Sequence, residues 1–333
     1  MSIDSILGDF DLLKPMVMRA SAQSGLFDIV ASSQLTFDEI VESLDYLDSY
    51  TLRLLIQALD EYGYMLIKDD KVLLTELGKT LARNIAFINS VTSRSTASGL
   101  FSYAPLALHE RLERGANYFE LSHKEQYWQL VNRDPNLYAS FEQGYSGNFD
   151  SDSLLDRAQL TKTDELFKAR NILELGSGYG DTAYFILKSG FSGNITVSDL
   201  SNRIPVLTAQ SRWQDFQGRV YISAIDFFTD PIPHHSTILL DSILADWDDD
   251  QCIILFRRIR SAIKENSGKL VISEVTKFSN DDGIDAIGKL TLACAVSGRV
   301  RSEEEVENLI RTAGYTKITL AGSSEHRFTL VAY

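Results

Sequence analysis

Residues 171–190 constrain this chain more than any other stretch. Asn171–Leu175 is a short apolar run, Gly176-Ser177-Gly178-Tyr179-Gly180 follows it, and DTAYFILKSG then has the look of a helix. Glycine lets the backbone turn tightly and approach a ligand closely, so a glycine turn between strand and helix predicts a ligand-binding βα unit. The alternation continues downstream. Further strands are expected at 195–197, 219–224, 237–240 and 269–274, with an amphipathic helix at CIILFRRIRSAI. Strands alternating with helices argue for a doubly wound, Rossmann-like parallel sheet. Two last strand candidates, 316–320 and 327–333, have no helix between them and are expected to pair antiparallel at one edge, making seven strands in all.

Two acids turn the glycine turn into a candidate adenosine site. Asp199 lies nineteen residues beyond Gly180, at the end of the second strand, where a carboxylate can accept from both hydroxyls of a ribose. Asp226-Phe227 closes the third strand; Asp226 can accept from an adenine amino group and Phe227 can cover the ring. The spacing is E-x-G-x-G-x-G rather than the dinucleotide fingerprint G-x-G-x-x-G. Glu174 at its head would repel a phosphate but suits the ammonium group of an amino acid. S-adenosylmethionine has an amino-acid end, a ribose and an adenine, and no phosphate, so it is preferred to NAD.

The first ninety residues read differently. LTFDEIVESL opens with a capping box between Thr36 and Glu39. Leu52, Leu55, Ile56 and Leu59 form one apolar helical face, which Gly63 ends. Two short apolar runs around Lys68-Asp69-Asp70-Lys71 predict a hairpin, and Thr75 is placed to cap another helix. Helix, turn, helix and hairpin make a winged-helix pattern. Charge decides its use. The segment has seven Lys/Arg against fourteen Asp/Glu, and the whole chain carries −14. A surface that reads phosphates needs the opposite sign, so no nucleic acid and no anionic membrane is expected as partner. The module is expected to pack or dimerise.

Residues 91–165 look helical and aromatic, with Phe101, Tyr103, Tyr118, Phe119, Tyr127, Trp128, Tyr138, Phe141, Tyr145 and Phe149; they suit either a core or a pocket wall for a flat substrate. The expected division is 1–90, 91–165 and 166–333. Only Cys252 and Cys294 are present, MSIDSILGDF has no basic leader region, and no apolar run reaches the ~20 residues of a membrane span. A cytoplasmic protein is expected. His234 and His235 are adjacent and point apart, so no metal site is expected.

With these motifs in order, the chain resembles class I S-adenosylmethionine-dependent O-methyltransferases, the group of plant caffeate-type and bacterial natural-product enzymes. SGLFDIV and TELGKTLA resemble that family's dimerisation domain. ILELGSGYG, VSDL, AIDFF, ADWDDD and GRVRSEEEVENLIRTAGY resemble its cofactor and C-terminal motifs. The resemblance implies a homodimer. It assigns Gly176 and Gly178 to the methionine end of the cofactor, Asp199 to the ribose, and Asp226 and Phe227 to the adenine. It implies methyl transfer to a hydroxylated aromatic or polyketide-like metabolite.

The sequence departs from the family at its base. Where the family motif reads His-Asp-Trp, this chain has Ala245-Asp246-Trp247, and the supporting Glu of GxERT is Val300. A position that is often Lys or Ser is Asp241. Three explanations stand open. Positioning alone carries methylation of an acidic hydroxyl. Or another group is the base, with Asp246, His109, His123 and His326 as candidates. Or the cofactor is bound without donating its methyl, while Arg299 or Arg301 polarises a carbonyl in a cyclisation, dehydration or pericyclic step.

Overall fold

The computed structural model describes residues 13–33, 35–146, 160, 163–263, 268–278 and 282–333. MSIDSILGDF and Phe149 lie outside the described residues. Among the described residues the helices up to residue 146 are α1 (Leu13–Gln23), α2 (Leu26–Ser32), α3 (Phe37–Ser43), α4 (Ser49–Glu61), α5 (Glu76–Arg83), α6 (Ile85–Thr92), α7 (Ala97–Phe101), α8 (Leu108–Arg114), α9 (Tyr118–His123), α10 (Tyr127–Arg133) and α11 (Pro135–Ser146). The hairpin β1 (Met65–Lys68) and β2 (Lys71–Leu74) stands between α4 and α5.

Local chemistry accounts for the N-terminal elements. The Thr36–Glu39 capping box forms, with the Thr36 amide donating to Glu39 Oε2 at 2.8 Å. Leu52, Ile56 and Leu59 of α4 are buried with Leu26, Phe27, Ile40 and Val72 in one core. The hairpin loop is shorter than the four residues expected. Lys68 pairs with Lys71, leaving a two-residue turn in which Asp69 and Asp70 both have positive φ, 50° and 60°. That conformation matches the twist of the flanking strands, and Asp tolerates it.

The chain divides into two compact units. One comprises residues 1–103 and 133–144, the other 104–132 and 145–333. The aromatic middle stretch is therefore shared, and these limits differ from 1–90, 91–165 and 166–333. The reason is packing: α8 and α9 lie against the long helix Asp282–Ala295 of the second unit, and Arg111 of α8 donates to the Ser297 carbonyl at 3.3 Å.

The second unit is built on a seven-stranded sheet. Its strands are β3 (Asn171–Leu175), β4 (Asn194–Asp199), β5 (Val220–Ala224), β6 (Thr237–Asp241), β7 (Lys269–Val275), β8 (Ile318–Ser323) and β9 (Arg327–Ala332). The spatial order is β5-β4-β3-β6-β7-β9-β8. β3 to β7 are parallel, and β9 runs antiparallel to both β7 and β8. This is the doubly wound sheet with an antiparallel edge that the sequence predicts. The further helices among the described residues are α12 (Asp164–Phe167), α13 (Asp181–Lys188), α14 (Ile204–Ala209), α15 (Asp249–Ala262), α16 (Asp282–Ala295) and α17 (Glu303–Thr312).

Successive strand residues point to opposite faces, and both faces of this sheet are covered. Leu173, Leu240 and Ile272 pack with Leu255, Phe256 and Ile259 of α15 and with Val306 and Ile310 of α17. Ile172, Leu239 and Val271 pack with Ala183, Ile186 and Leu187 of α13 on the other side. Near-continuous apolar strands follow from that double burial. The strand order reverses between β3 and β6. Open α/β sheets bind their ligands at the carboxyl ends of the strands beside such a reversal.

Candidate active site at the strand reversal

The glycine turn sits at the carboxyl end of β3. Gly176, Gly178 and Gly180 all have positive φ, 67°, 58° and 72°, a region that costs other residues strain. A Cβ on Gly176 would stand 2.6 Å from Ile243 Cδ1 and 3.3 Å from the Phe227 ring, and one on Gly180 would meet Trp213 at 2.7 Å. A Cβ on Gly178 would meet nothing within 4 Å. The outer glycines are thus needed for packing, while the middle one faces open space that a ligand can use.

The ends of the neighbouring strands converge on this turn. The Gly178 amide donates to Asp199 Oδ2 at 2.7 Å, and the Leu200 amide donates to Oδ1 at 2.8 Å. Arg203 Nε stands 3.7 Å from the same carboxylate. Burial pushes the Asp199 carboxyl above its ordinary value, against the downward pull of Arg203 and the two amides. At the end of β5, Asp226 accepts from the Phe228 amide at 2.9 Å. The half-buried Phe227 ring lies edge-on to Phe228 and Trp247, with centroids 4.9 and 6.0 Å apart. Glu174 is buried on β3, next to the last residue of the strand. Glycine turn, Asp199, Asp226 and Phe227 therefore occupy the ends of three adjacent strands. Their chemistry fits S-adenosylmethionine: acids and an aromatic ring, in a cradle open at Gly178.

The segment after β6, which carries Ala245 and Asp246, is held by charged side chains. Ser242 has φ 58°, a strained conformation for a residue with a side chain. Arg327, buried at the start of β9, ion-pairs with Asp241 and donates to Ser242 Oγ at 2.9 Å. Asp241 also accepts from Thr182 Oγ1 at 2.5 Å. Glu274 Oε1 accepts from the Ile243 and Leu244 amides at 2.8 and 2.7 Å. Burial raises the Glu274 carboxyl to about 7, opposed by those amides and by Arg327. Arg301 grips the other side, donating to the Leu244 and Trp247 carbonyls at 2.6 and 2.7 Å and to Asp249 at 2.8 Å. A side chain at Gly298 would strike this backbone, its Cβ 2.3 Å from the Ala245 oxygen.

Within that frame Asp246 is half-buried. Its carboxyl is raised to about 7, first by desolvation and further by Glu274, while a hydrogen bond from Trp128 of α10 pulls it down. The other candidates are placed elsewhere or are engaged. Arg299 is 44% exposed and bound to Asp249 and Glu305 at 3.2 and 2.9 Å, so its charge is already matched by carboxylates. His109 lies on an exposed face beside Glu113. His123 stacks on Phe119. His326 Nδ1 is 3.3 Å from the Lys277 carbonyl, at the junction of β7 and β9. Of the candidate bases, Asp246 stands nearest in sequence and space to the clamped segment. Among the described residues, no group of three or more His, Cys, Asp and Glu side chains could hold a metal ion.

Trp128, Glu274, Arg301 and Arg327 in these clamping roles were not singled out by sequence motif. Arg301 and Trp128 had been noted, each for a different task. The only signal for the others is weak: an acid ending one strand and a basic residue opening another, both inside apolar runs.

Comparison with known proteins identifies the family. A family model described as an O-methyltransferase domain matches residues 103–316. Trans-resveratrol di-O-methyltransferase of Vitis vinifera is 25% identical over 93% of this chain and 90% of its own length. Cephaeline 6'-O-methyltransferase IpeOMT1 of Carapichea ipecacuanha is 27% identical over 80% of this chain and 74% of its own. Among solved structures, the O-methyltransferase NcsB1 from neocarzinostatin biosynthesis, in complex with S-adenosyl-L-homocysteine and 1,4-dihydroxy-2-naphthoic acid, superposes with a TM-score of 0.76 at 22% identity. That likeness covers 97% of this chain and 95% of NcsB1. The mitomycin 7-O-methyltransferase MmcR gives 0.72 at 20% identity, covering 99% and 96%. With a family match across more than half of its length and a strand-end site of the right chemistry, the chain belongs to the S-adenosylmethionine-dependent O-methyltransferases.

Proposed function

We propose that the protein methylates a hydroxyl of an aromatic or polyketide-like small molecule in secondary metabolism, as a cytoplasmic homodimer, with Asp246 as the base. The observation that carries this reading is the placement of a carboxyl raised by burial, Asp246, in the clamped turn that follows β6. That strand lies directly beside the glycine turn of β3. The relatives named for resveratrol, cephaeline, mitomycin and naphthoic acid support the substrate class.

The residues divide the work. Glu174, Gly176 and Gly178 are assigned to the amino-acid end of S-adenosylmethionine, Asp199 to the ribose, and Asp226 and Phe227 to the adenine. When bound, the cofactor would supply an electrophilic methyl on a sulfonium, with S-adenosylhomocysteine as the neutral leaving group. Asp246 takes the hydroxyl proton. A carboxyl near 7 is well matched to that task at neutral pH. Glu274, Arg301 and Arg327 hold the segment on which it stands.

The test is incubation with labelled methyl donor and a panel of hydroxynaphthoates, flavonoids and stilbenes. Label on the product oxygen is expected. A product that needs the cofactor but carries no label would replace this reading with a cyclisation, dehydration or pericyclic reaction on the same site.

A further inference from the structure

We propose that Arg203 is a positioning residue for Asp199: its guanidinium holds the carboxylate ionised inside the protein and leaves acceptor positions on it for the two hydroxyls of a ribose. The proposal rests on the reading of Asp199 as the ribose acid.

A tight turn delivers Arg203 to Asp199. Asp199 ends β4, and the turn Ser201–Arg203 follows almost at once. The Arg203 amide donates to the Leu200 carbonyl at 2.9 Å and closes that turn. Pro205, in the first turn of α14, restricts the backbone on the other side. The arginine side chain, four residues beyond the aspartate, thus folds back over it, with Nε 3.7 Å from Oδ1. Both side chains are withdrawn from water, Arg203 at 6% exposure and Asp199 at 12%.

The carboxylate is also fixed in orientation. The Gly178 amide binds Oδ2 and the Leu200 amide binds Oδ1. The Ser177 amide donates to the Ser198 carbonyl at 2.9 Å, which ties the glycine turn to the end of β4. An ionised carboxylate has about four acceptor positions on its two oxygens. The two amides use one on each oxygen, so each oxygen keeps one. That matches a pair of neighbouring ribose hydroxyls. At 3.7 Å the approach of Arg203 Nε is an ion pair and longer than a hydrogen bond. It supplies charge without taking an acceptor position.

The charge matters because burial favours the neutral acid, and a protonated oxygen gives up an acceptor position. Three groups oppose that effect: first the Arg203 guanidinium, then the Leu200 amide from the same turn and the Gly178 amide from the glycine turn.

The experiment is the pH dependence of S-adenosylhomocysteine binding, by titration calorimetry, for wild type, Arg203→Met and Arg203→Lys. Met keeps an unbranched stem and deletes the charge; Lys keeps the charge. An opposite charge this close lowers a carboxyl by about one to three pH units. Arg203→Met should therefore bind about tenfold more weakly than wild type near pH 5.5 and approach wild-type affinity near pH 8.5. Arg203→Lys should follow the wild-type profile. A loss of equal size at every pH overturns the proposal, and so does an unchanged profile. If Arg203→Met does not fold, the carboxyl carbon resonance of Asp199 decides, identified by its absence in Asp199→Ala. In the ligand-free wild type it should report an ionised group at pH 7; a neutral one overturns the proposal. An Asp199→Ala variant that binds S-adenosylhomocysteine as tightly as wild type would instead remove the ribose reading, a result separate from the charge state of that carboxyl.

Discussion

Ala245 removes an imidazole from the expected place, and the burden shifts to the next residue. Asp246 starts from an ordinary value of 3.8 and is held at about 7 by burial. A base works deprotonated, so kcat/KM should rise with pH through about 7 and level off above it. Asp246→Asn should lower kcat/KM by about 100-fold, within the range of general-base contributions, and abolish that limb. Stability should move the other way. The folded value lies above the unfolded one, so this group favours the fold fully below about 4, and that contribution is lost as pH rises through about 7. Asn cannot ionise and can still accept from Trp128. It should therefore raise Tm by a few degrees at pH 8 and leave it nearly unchanged at pH 4, read by calorimetry at both values. Asp199→Ala tests the other half of the site. Loss of hydrogen bonds to a buried carboxylate should weaken cofactor binding by about 100-fold, measured by titration calorimetry. Unchanged affinity would put the ribose elsewhere. Asp199 was legible because its signal is local, an acid ending the strand after a glycine turn. Glu274 and Arg301 were not, because their roles depend on amides and carbonyls 30 and 57 residues away in the chain.

At the scale of the element, the segment from Ser242 to Trp247 behaves as a clamped turn rather than a loop. A carboxylate holds its amides, a guanidinium holds its carbonyls, and a second guanidinium holds Ser242 in its strained conformation. These groups are buried, so each bond is strong and each loss is costly. The same density explains Gly298. Adding one methyl there forces the Ala245 and Trp247 backbone to move, since the Cβ would lie within 2.6 Å of three of its atoms. Displacements of about 1 Å at a reacting group cost up to about 100-fold in rate. Gly298→Ala should therefore lower kcat by about 10- to 100-fold and leave the cofactor dissociation constant within about twofold, because the glycine turn and Asp199 are untouched. A kcat equal to wild type would show that the turn is not held rigidly. The sequence predicted the strands on either side of this turn from their apolar runs. It could not predict the clamp, because GRVRS reads as a polar loop until Arg301 is seen to be buried at 4% exposure.

For the whole molecule, charge and exposed apolar surface point the same way. The chain carries −14, and its N-terminal ninety residues hold twice as many acids as bases. Such a surface does not attract phosphates, but it does not forbid association through apolar patches. The first unit offers one. α6 reads IAFINSVT, yet none of its residues is buried, and Phe87 is 55% exposed. α1 packs against α6 and leaves Leu13 and Met16 exposed at 63% and 42%. Isolated exposed apolar residues are ordinary, whereas a helix with an apolar sequence and no buried residue calls for a covering surface. In the proposed homodimer, a second copy supplies it. Phe87→Asp places a charge in that patch without touching the capping box, the hairpin or the core around Leu26, Phe27 and Ile56. Sedimentation velocity at micromolar concentration should show wild type at twice the 37.3 kDa of one chain and the variant at one. Cofactor affinity should be unchanged, because every residue assigned to the cofactor lies in the second unit. A variant that stays dimeric would move the interface to another face, and a wild type that sediments as a monomer would remove the homodimer altogether.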